Sequence, residues 1–326
     1  MKRNEMEATI ALFEARLVEC LTKYDCSEIL GETISYHFGL GAHGPVRTGK
    51  RLRPQMLLRT SEMLGAKLDN SLDAAVAIEI LHNYSLVHDD IEDGDELRHG
   101  RATLWSRFGV AQAINSGDAM CALSFLALAR SESRLGAGRT LAMLACLHHA
   151  HRKMCDGQAR DLDFESRMAV SLDEYLSMIA GKTAALFRAA GEMGAICADA
   201  SPEMRERAAL FGEAFGMAFQ VRDDLLGIWG AEGATGKRVA GDIARRKWSY
   251  PIVWALACPD SPPRTVVARA YASGRALNPL EAAAVRAALD ELGAEAASRR
   301  ALDERIAVLQ LTGDEPLLAF AVESLN

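Results

Sequence analysis

The sequence predicts an all-α protein on three observations. Apolar residues recur at spacings of three and four along most of the chain, which is the pattern of amphipathic helices. No stretch alternates with period two for long enough to predict a sheet. The chain has 326 residues, of which 49% are hydrophobic and 25% charged, so it can bury a large core. No low-complexity linker interrupts it, and we expect one domain over residues 1–326.

The first helices follow from pattern and capping. Residues 5–23 place apolar side chains on one face, whereas residues 28–49 loosen into a glycine-rich stretch. Pro54 suits the first turn of the next helix. Ser71 is a suitable N-cap for a long helix from about Leu72 to Asp93.

Helical patterns fill most of the remaining chain. They cover residues 111–133, 138–156, 172–198, 203–228 and 248–257. The tail from Asn278 is rich in Ala, Glu and Arg, of which Ala and Arg rank highest in helix propensity. The stretch CPDSPPR (258–264) predicts a turn within the domain.

Composition excludes several classes of protein. The net charge of −7 argues against a nucleic-acid partner, because phosphate backbones require a basic surface. The longest apolar runs are too short to span a bilayer, and the N-terminal segment is not a secretory signal. The seven cysteines include no CxxC pair, which indicates free thiols. We therefore expect a cytoplasmic protein with no membrane span.

The stretch LVHDDIEDGDELRHGR (86–101) carries the first functional signal. Asp89 and Asp93 are four apart and share a helix face, at the helix end where the dipole disfavours acids. Most acidic runs are solvated helix ends. Here an apolar helix leads into the acids, and paired carboxylates in such a place suit Mg²⁺, which completes its shell with water and substrate phosphate.

A second acidic pair, Asp223 and Asp224, ends the apolar helix in AFGMAFQVRDDLLGIWG (214–230). Gln220 lies three residues before Asp223, and Gly227 stands where a third acid would complete the pattern. One such pair is weak support for a metal site because acids are common. Two pairs, each ending an apolar helix, are stronger support.

Cations are placed to match the acids. Lys50 and Arg51 precede the helix start at Pro54, where free N–H groups add to an anion site. Arg98 and Arg101 follow the first acidic cluster. Each cation alone would be an ordinary surface residue, but their grouping with acids and glycines suits a ligand with two diphosphates. The other grouped cations are Lys182, Lys237 and Lys247.

These segments resemble the trans-isoprenyl diphosphate synthases, the farnesyl and geranylgeranyl diphosphate synthase family, and in particular its bacterial members. The matching stretches are GKRLRP, LVHDDIEDGDELRHGRATLW, GQARDLDFE, GKTAALF, FQVRDDLLGIWG and TGKRVAGDIARRKWSYP. They follow the family's order from about residue 36 to 255. The resemblance implies long antiparallel helices around a central cavity, a homodimer, and condensation of isopentenyl diphosphate with allylic diphosphates.

The resemblance also implies residue roles. Asp89, Asp93 and Asp223 would bind three Mg²⁺ ions that hold the allylic diphosphate, with Asp90 and Asp224 beside them in the catalytic set. The residues implied for the same diphosphate are Arg98, Lys182, Lys237 and Lys247. Those implied for isopentenyl diphosphate are Lys50, Arg51 and His82. Thr183 and Gln220 are implied to face the allylic cation with oxygen dipoles.

Two positions depart from the family pattern. His99 stands where many members have a second arginine that contacts isopentenyl diphosphate, and a histidine should weaken that contact. Gly227 replaces the usual last aspartate of the second motif. The first aspartate normally carries the metal there, so we expect activity to survive.

Product length is predicted from the residues before the first motif. Tyr84 lies five residues before Asp89 and is bulky, with small Ser85 beside it. One aromatic residue rather than two resembles enzymes that make the twenty-carbon geranylgeranyl diphosphate, with fifteen-carbon farnesyl diphosphate as the next candidate.

Two other functions remain open. A terpene synthase on the same fold would ionise a prenyl diphosphate without condensing it; the intact GKRLRP argues against it, while His99 and Gly227 keep it open. A non-catalytic subunit that modulates an active synthase is the other. Such a subunit would be expected to lose acids from the first motif, and this chain retains them.

Overall fold

Helices make up almost all of the regular structure, so the all-α prediction is confirmed. The structure is a computed structural model that describes residues 3–40, 49–230 and 241–325. Its helices are α1 (Arg3–Lys23), α2 (Glu28–Phe38), α3 (Leu52–Met63), α4 (Asp69–Glu92), α5 (Leu104–Phe108), α6 (Val110–Ala129), α7 (Glu132–Leu135), α8 (Ala137–Ser166), α9 (Leu172–Ile179), α10 (Ala185–Cys197), α11 (Pro202–Trp229), α12 (Gly241–Ala244), α13 (Tyr250–Ala257), α14 (Pro262–Tyr271), α15 (Pro279–Leu292), α16 (Ala294–Thr312) and α17 (Glu315–Leu325). A π-helical segment, Ala180–Ala184, joins α9 to α10, and an antiparallel ribbon of β1 (Leu97–Arg98) and β2 (Arg101–Ala102) follows α4.

The chain divides into two compact units, each built from several stretches of sequence. Unit 1 comprises Met1–His149, Ala189–Leu210 and Asp314–Phe320. Unit 2 comprises Ala150–Arg188, Phe211–Gly313 and Ala321–Asn326. The single domain over residues 1–326 stays a prediction. Within the described residues, no helix combines the length and the apolar character that crossing a bilayer would require.

Helix α4 is central to unit 1. It packs against α1, α3, α5 and α6, and every residue from Ala74 to Leu81 is buried. A helix segment that is buried on every side requires other helices to enclose it. Each large aliphatic side chain buried there contributes about 1.5–3 kcal/mol. This enclosure fixes the C-terminal end of α4, where the acidic cluster begins.

Unit 2 has a separate core around α13, which packs against α9, α14, α15 and α16. Tyr175 and Tyr271 are among its fully buried side chains. Buried Trp248 donates from its indole nitrogen to the carbonyl of Phe164 at 2.7 Å, which satisfies its one polar atom. This packing brings the start of α13 to the side chains of α9.

Two local predictions were wrong. Residues 28–49 are not irregular throughout: Ser27 caps α2, and Gly39 ends it in the left-handed conformation with φ 67°. The glycines therefore mark the end of a helix rather than the absence of one. Ser71 is not an N-cap, because α4 begins at Asp69 and the Ser71 hydroxyl donates to the carbonyl of Leu68 at 2.9 Å.

Two further features were not predicted. The stretch CPDSPPR contains a helix start, since Ser261 caps α14. The ribbon of β1 and β2 has two-residue strands, too short for any periodic pattern to reveal. Its turn uses positive φ angles at His99 (53°) and Gly100 (79°), as a type I′ turn requires.

Candidate active site

The C-terminal end of α4 separates its aspartates by exposure. Asp93 is exposed and Asp89 half-buried, whereas Asp90 is 3% exposed. The Asp93 backbone N–H donates to the Asp89 carbonyl at 2.8 Å, which continues the helical turn and places the two residues on one face, as predicted. Two carboxylates therefore project near solvent from a rigid helix.

The buried Asp90 has a protein partner. Nε and Nη2 of Arg98, on β1, approach its Oδ1 at 2.8 and 2.7 Å. Burial raises the pKa of Asp90, and Arg98 opposes this by stabilising the charged form. The ribbon that carries Arg98 is held on α2, because the Tyr36 hydroxyl donates to the Ala102 carbonyl at 2.9 Å.

A pocket of about 240 Å³ lies within unit 1 beside this pair. Residues of α2 and α4, the start of α3 and the ribbon line it. Its basic and histidine side chains are His37, Arg51, His82, Arg98, His99 and Arg101. The structure thus brings four predicted substrate-binding residues together, namely Arg51, His82, Arg98 and His99. Lys50 is exposed and is not among the described residues that line the pocket.

Two glutamates hold Arg51. Its Nε donates to Glu14 at 2.8 Å and its Nη1 to Glu79 at 2.6 Å. Arg51 adopts φ 50°, a strained conformation for a side-chain-bearing residue, at the N-cap of α3. Glu79 is 4% exposed and lies ten residues before Asp89 on α4. Charge-assisted hydrogen bonds from both sides orient the guanidinium.

The same network fixes an amide and a histidine tautomer. Asn83 Nδ2 donates to Glu79 Oε1 at 3.0 Å, so its Oδ1 faces His37 Nε2 at 3.1 Å. His37 Nε2 must therefore carry the proton. Burial lowers the pKa of His37 to about 4, and burial with nearby Arg53, Arg98 and Arg51 lowers that of His82 well below its ordinary value. Both rings are neutral at pH 7.

In unit 2 the second acidic pair divides in the same way. Asp223 is exposed, whereas Asp224 is 3% exposed. Asp224 accepts hydrogen bonds from the Tyr175 hydroxyl, from the Tyr250 backbone N–H at 2.8 Å and from Gln220 Nε2 at 3.0 Å. Burial is the main cause that raises the pKa of Asp224, to about 6, against these donors and Lys247.

Thr183 and Gln220, predicted to act together, are in contact. Thr183 Oγ1 donates to Gln220 Oε1 at 2.7 Å. Thr183 and Lys182 lie in the π-helical segment, a local widening that often marks functional sites. Lys182 Nζ lies 2.5 Å from Asp161 Oδ2. A Cβ at Gly157 would fall 2.2 Å from the Lys182 backbone nitrogen, so α8 can approach this segment closely only because residue 157 is glycine.

Lys247 lies among carboxylates. Burial opposes its charge, but Asp242, Asp161, Asp224 and Asp223 outweigh burial and raise the pKa of Lys247 above its ordinary value. Lys247 is therefore a stable cation. The third predicted lysine of this set, Lys237, lies outside the described residues.

At Gly227, where the family usually has an aspartate, the space beside the backbone is taken by another carboxylate. A Cβ at position 227 would fall 2.4 Å from Asp242 Oδ2. The carboxylate of Asp242 thus reaches this position from α12.

The predicted chain-length residues lie on α4 and are both half-buried. The Tyr84 ring makes an edge contact with His88, with ring centres 4.8 Å apart. The Ser85 hydroxyl donates to the His82 carbonyl at 2.8 Å, a bond within its own helix. His88 in turn packs against Gly117 on α6, where a Cβ would fall 2.3 Å from its Nε2.

The donor set fits Mg²⁺ bound together with a substrate. In residues 3–40, 49–230 and 241–325, no group of three or more His, Cys, Asp or Glu side chains is arranged to hold a metal ion. Mg²⁺ commonly uses only one or two carboxylates and takes its other ligands from phosphate and water. Asp89 and Asp93 can supply such a pair, and Asp223 a single exposed carboxylate.

Sequence reasoning missed three residues that organise the site: Glu79, Glu14 and Tyr175. Glu79 had a visible signal, because a single acid inside the apolar run AAVAIEIL requires a buried cation as partner. Glu14 and Tyr175 had none, since their partners lie 37 and 49 residues away in the chain.

Comparison with known proteins supplies the family. A sequence profile described as polyprenyl synthetase matches residues 41–288. The chain belongs to the polyprenyl synthetase family. The trans-isoprenyl diphosphate synthase resemblance is thereby confirmed.

A (2E,6E)-farnesyl diphosphate synthase of Mycobacterium tuberculosis is 42% identical over 240 residues, which are 72% of this chain and 66% of that protein. A geranylgeranyl diphosphate synthase of the same organism is 36% identical over 261 residues, 79% and 73% of the two chains. The chain thus spans about two thirds of the length of the first of these polyprenyl synthetases.

Solved polyprenyl synthetases share the fold over nearly the whole chain. A polyprenyl synthetase of Streptomyces coelicolor A3(2) is 32% identical with a TM-score of 0.89, and the match covers 98% of each chain. A geranylgeranyl pyrophosphate synthase of Corynebacterium glutamicum, solved as a complex with isoprenyl diphosphate and magnesium, is 25% identical with a TM-score of 0.84, again over 98% of each chain.

Proposed function

We propose that this chain is a short-chain trans-prenyltransferase that condenses isopentenyl diphosphate with allylic diphosphates. One arrangement carries the proposal: the cationic pocket of unit 1 lies at the end of α4 that also bears Asp89 and Asp93. Guanidinium groups bind phosphate oxygens through paired hydrogen bonds, and exposed carboxylates suit a metal that is shared with a diphosphate. The farnesyl and geranylgeranyl diphosphate synthases among the relatives support the same activity.

Isopentenyl diphosphate is assigned to the unit 1 pocket. Arg51 and His82 would contact its diphosphate, as the resemblance implies, with Lys50 at the exposed edge. Glu14 and Glu79 already fix the Arg51 guanidinium, so little side-chain entropy is lost when the ligand binds. Because its side chain is exposed, His99 would add only a weak contact.

The proposed Mg²⁺ ligands are Asp89, Asp93 and Asp223, with three ions in the substrate complex. When bound, Mg²⁺ supplies positive charge that stabilises the diphosphate as it leaves. The Corynebacterium glutamicum synthase, solved with isoprenyl diphosphate and magnesium, supports Mg²⁺ as the metal.

The allylic diphosphate would be held by cations of the chain, proposed to be Arg98, Lys182, Lys237 and Lys247. The raised pKa of Lys247 keeps it protonated at neutral pH, so its charge is available throughout turnover. As the allylic carbon–oxygen bond breaks, the oxygens of Thr183 and Gln220 would face the cation. The isopentenyl double bond then attacks, and the released proton passes to the departing diphosphate.

The second aspartate of each pair receives a different role. Asp90 is bound by Arg98, and Asp224 by Tyr175, Tyr250 and Gln220. A carboxylate enclosed by protein donors has few free lone pairs for a metal. We assign Asp90 and Asp224 to positioning Arg98 and Gln220 rather than to metal binding.

The main product is proposed to be geranylgeranyl diphosphate, with farnesyl diphosphate next. Tyr84, packed on His88 and five residues before Asp89, would set the floor for the growing chain, and Ser85 would leave room beside it. Relatives named for both products are consistent with a short chain and leave the length to experiment.

A homodimer is proposed as the working assembly. Helix α6 exposes Val110, Ile114 and Leu126, apolar side chains that a second copy would cover. Light scattering coupled to size exclusion would give about twice the chain mass of 35.3 kDa. A monomer mass would remove this proposal without affecting the activity.

A product assay tests the function. Purified protein and Mg²⁺ would be incubated with isopentenyl diphosphate plus dimethylallyl, geranyl or farnesyl diphosphate, and the prenyl diphosphates resolved by length. A twenty-carbon diphosphate is expected. Cyclised hydrocarbon, or consumption of the allylic substrate alone, would point to a terpene synthase. Binding of substrates with no turnover would point to a modulatory subunit.

A further inference from the structure

In unit 2, a chain of hydrogen bonds links Tyr175 on α9, through Asp224 on α11, to the Thr183–Gln220 pair. It runs from the Tyr175 hydroxyl on α9 to Asp224, from Asp224 Oδ1 to Gln220 Nε2 at 3.0 Å, and from Gln220 Oε1 to Thr183 Oγ1 at 2.7 Å. The backbone N–H of Tyr250, at the start of α13, completes the set at 2.8 Å. Every side chain in it except Gln220 is buried.

The orientation of the Gln220 amide depends on Asp224. An ionised carboxylate only accepts hydrogen bonds, so Gln220 must turn its NH₂ group toward Asp224 and its oxygen toward Thr183. The reverse orientation would leave two acceptors facing each other in a buried place, which is costly. Asp224 thus determines which atom of Gln220 meets the Thr183 hydroxyl.

Tyr175 in turn fixes Asp224. Its hydroxyl and the Tyr250 N–H both donate to Oδ2, while Gln220 uses Oδ1. Without the hydroxyl, Oδ2 keeps the single donor of Tyr250, and the carboxylate can rotate away from Gln220. The tyrosine ring packs edge-on to Tyr250 at 6.2 Å and holds the hydroxyl at this point.

We infer that Tyr175 is a positioning residue for Thr183 and Gln220 and acts on them through the buried carboxylate of Asp224. The inference rests on the proposed function, because Thr183 and Gln220 matter only if an allylic cation forms beside them. Tyr175 itself touches neither substrate nor reacting atoms in this scheme.

The first test is Tyr175→Phe, which removes the hydroxyl and keeps the ring. We expect kcat to fall about tenfold, with KM for isopentenyl diphosphate changed by less than about twofold, since that substrate is assigned to the unit 1 pocket. Val285→Ala is the matched control. It loosens the same core at a fully buried position away from the network, and its kcat should remain near that of the wild type.

A double-mutant cycle separates positioning from general destabilisation. Thr183→Val alone should also lower kcat about tenfold, and the Tyr175→Phe/Thr183→Val pair should lose about as much as either single variant, because both changes break one pathway. Losses that multiply to about a hundredfold would mean that Tyr175 acts elsewhere and would overturn the inference.

Circular dichroism checks whether Tyr175→Phe folds. If it does not, a second variant tests the inference. Asp224→Asn places a donor next to Gln220 and should reverse its amide, giving at least the same loss of kcat with an unchanged KM for isopentenyl diphosphate. A normal kcat in Tyr175→Phe or in Asp224→Asn would overturn the inference. The proposed function would still stand in that case if the wild type condenses its substrates. No prenyl product from the wild type would overturn the function and the inference together.

Discussion

The guanidinium of Arg98 donates from Nε to Asp90 Oδ1 at 2.8 Å, and its Nη2 forms an ion pair with the same oxygen at 2.7 Å. Asp90 belongs to the acidic motif, yet its carboxylate is buried against protein. Asp224 repeats this arrangement in the second motif, while Asp223 is exposed and Asp89 half-buried. Each Asp–Asp pair therefore has one member near solvent and one member that organises its neighbours.

Asp90→Asn should lower kcat/KM about tenfold, because a neutral amide holds Arg98 less firmly. The Mg²⁺ concentration for half-maximal rate should stay within about twofold of the wild-type value, since Asp90 is not assigned to the metal. Steady-state kinetics over a Mg²⁺ titration measure both quantities. Asp223→Asn, which alters an exposed proposed ligand, is the comparison and should raise the Mg²⁺ requirement. An equal rise in Asp90→Asn would return Asp90 to the metal site.

Asp89→Ala should abolish turnover, with a loss of about a thousandfold or more, because a proposed metal ligand is removed. Circular dichroism should show an intact helical fold, since the Asp89 side chain is only half-buried. Glu96→Ala removes an exposed acid that lies after the end of α4 and serves as the control. Near-normal activity of Asp89→Ala with Mg²⁺ would show that the metal assignment is wrong.

Removal of divalent cations by EDTA should distinguish the two substrates. Isopentenyl diphosphate should still bind the unit 1 pocket, because Arg51 and Arg101 supply positive charge there without a metal. The allylic diphosphate should bind far more weakly, because its proposed site relies on metal. Isothermal titration calorimetry with and without EDTA measures both affinities. If isopentenyl diphosphate alone required the metal, the assignment of the pocket would fail.

Stability should fall in mild acid because of His37. Its pKa is lowered to about 4 in the folded protein, against an ordinary value of 6.5. Between these values the unfolded chain binds a proton that the folded chain does not, so the free energy of unfolding decreases as pH falls from about 6.5 to 4. The loss of unfolding free energy from His37 over this pH range is about 3 kcal/mol. Urea unfolding of the wild type and of His37→Gln at several pH values isolates this loss. The prediction would be contradicted if the free energy of unfolding changed equally with pH in the two proteins.

Tyr84→Ala should lengthen the product by one or more five-carbon units, because a bulky ring is removed five residues before Asp89. Chromatography of the dephosphorylated prenyl alcohols would show the shift. Helix content should not change, since alanine favours helices. An unchanged product length would place the floor of the chain at other residues.

Much of the fold was predictable, because helix periodicity is local and survives in any tertiary context. The acidic end of α4 was placed to within a few residues, as the apolar run leading to it is unmistakable. The start of α4 was misplaced because Ser71, a good cap by type, is preceded by Asp69 and Asn70, which already belong to the helix. Local propensity alone could not decide between the two starts.

The charged residues of the site could be predicted from the sequence, but the hydrogen-bond and ion-pair partners of those residues could not. Sequence spacing showed that Asp89 and Asp93 share a face, but it could not show that Asp90 turns inward to an arginine on a ribbon eight residues later. Tyr175 meets Asp224 across 49 residues, a contact that only the packed core of unit 2 creates. Such partners are set by tertiary packing, and no periodic pattern records them.

The close approach at Gly157 has a consequence for protein engineering. Any side chain at position 157 would press on the backbone that carries Lys182, since even a methyl group would fall 2.2 Å from its nitrogen. Libraries that vary α8 to accept new prenyl donors should therefore leave this codon fixed, while exposed neighbours such as Asp156 can be randomised freely. One hydrogen atom in place of a side chain limits how far this helix can be redesigned.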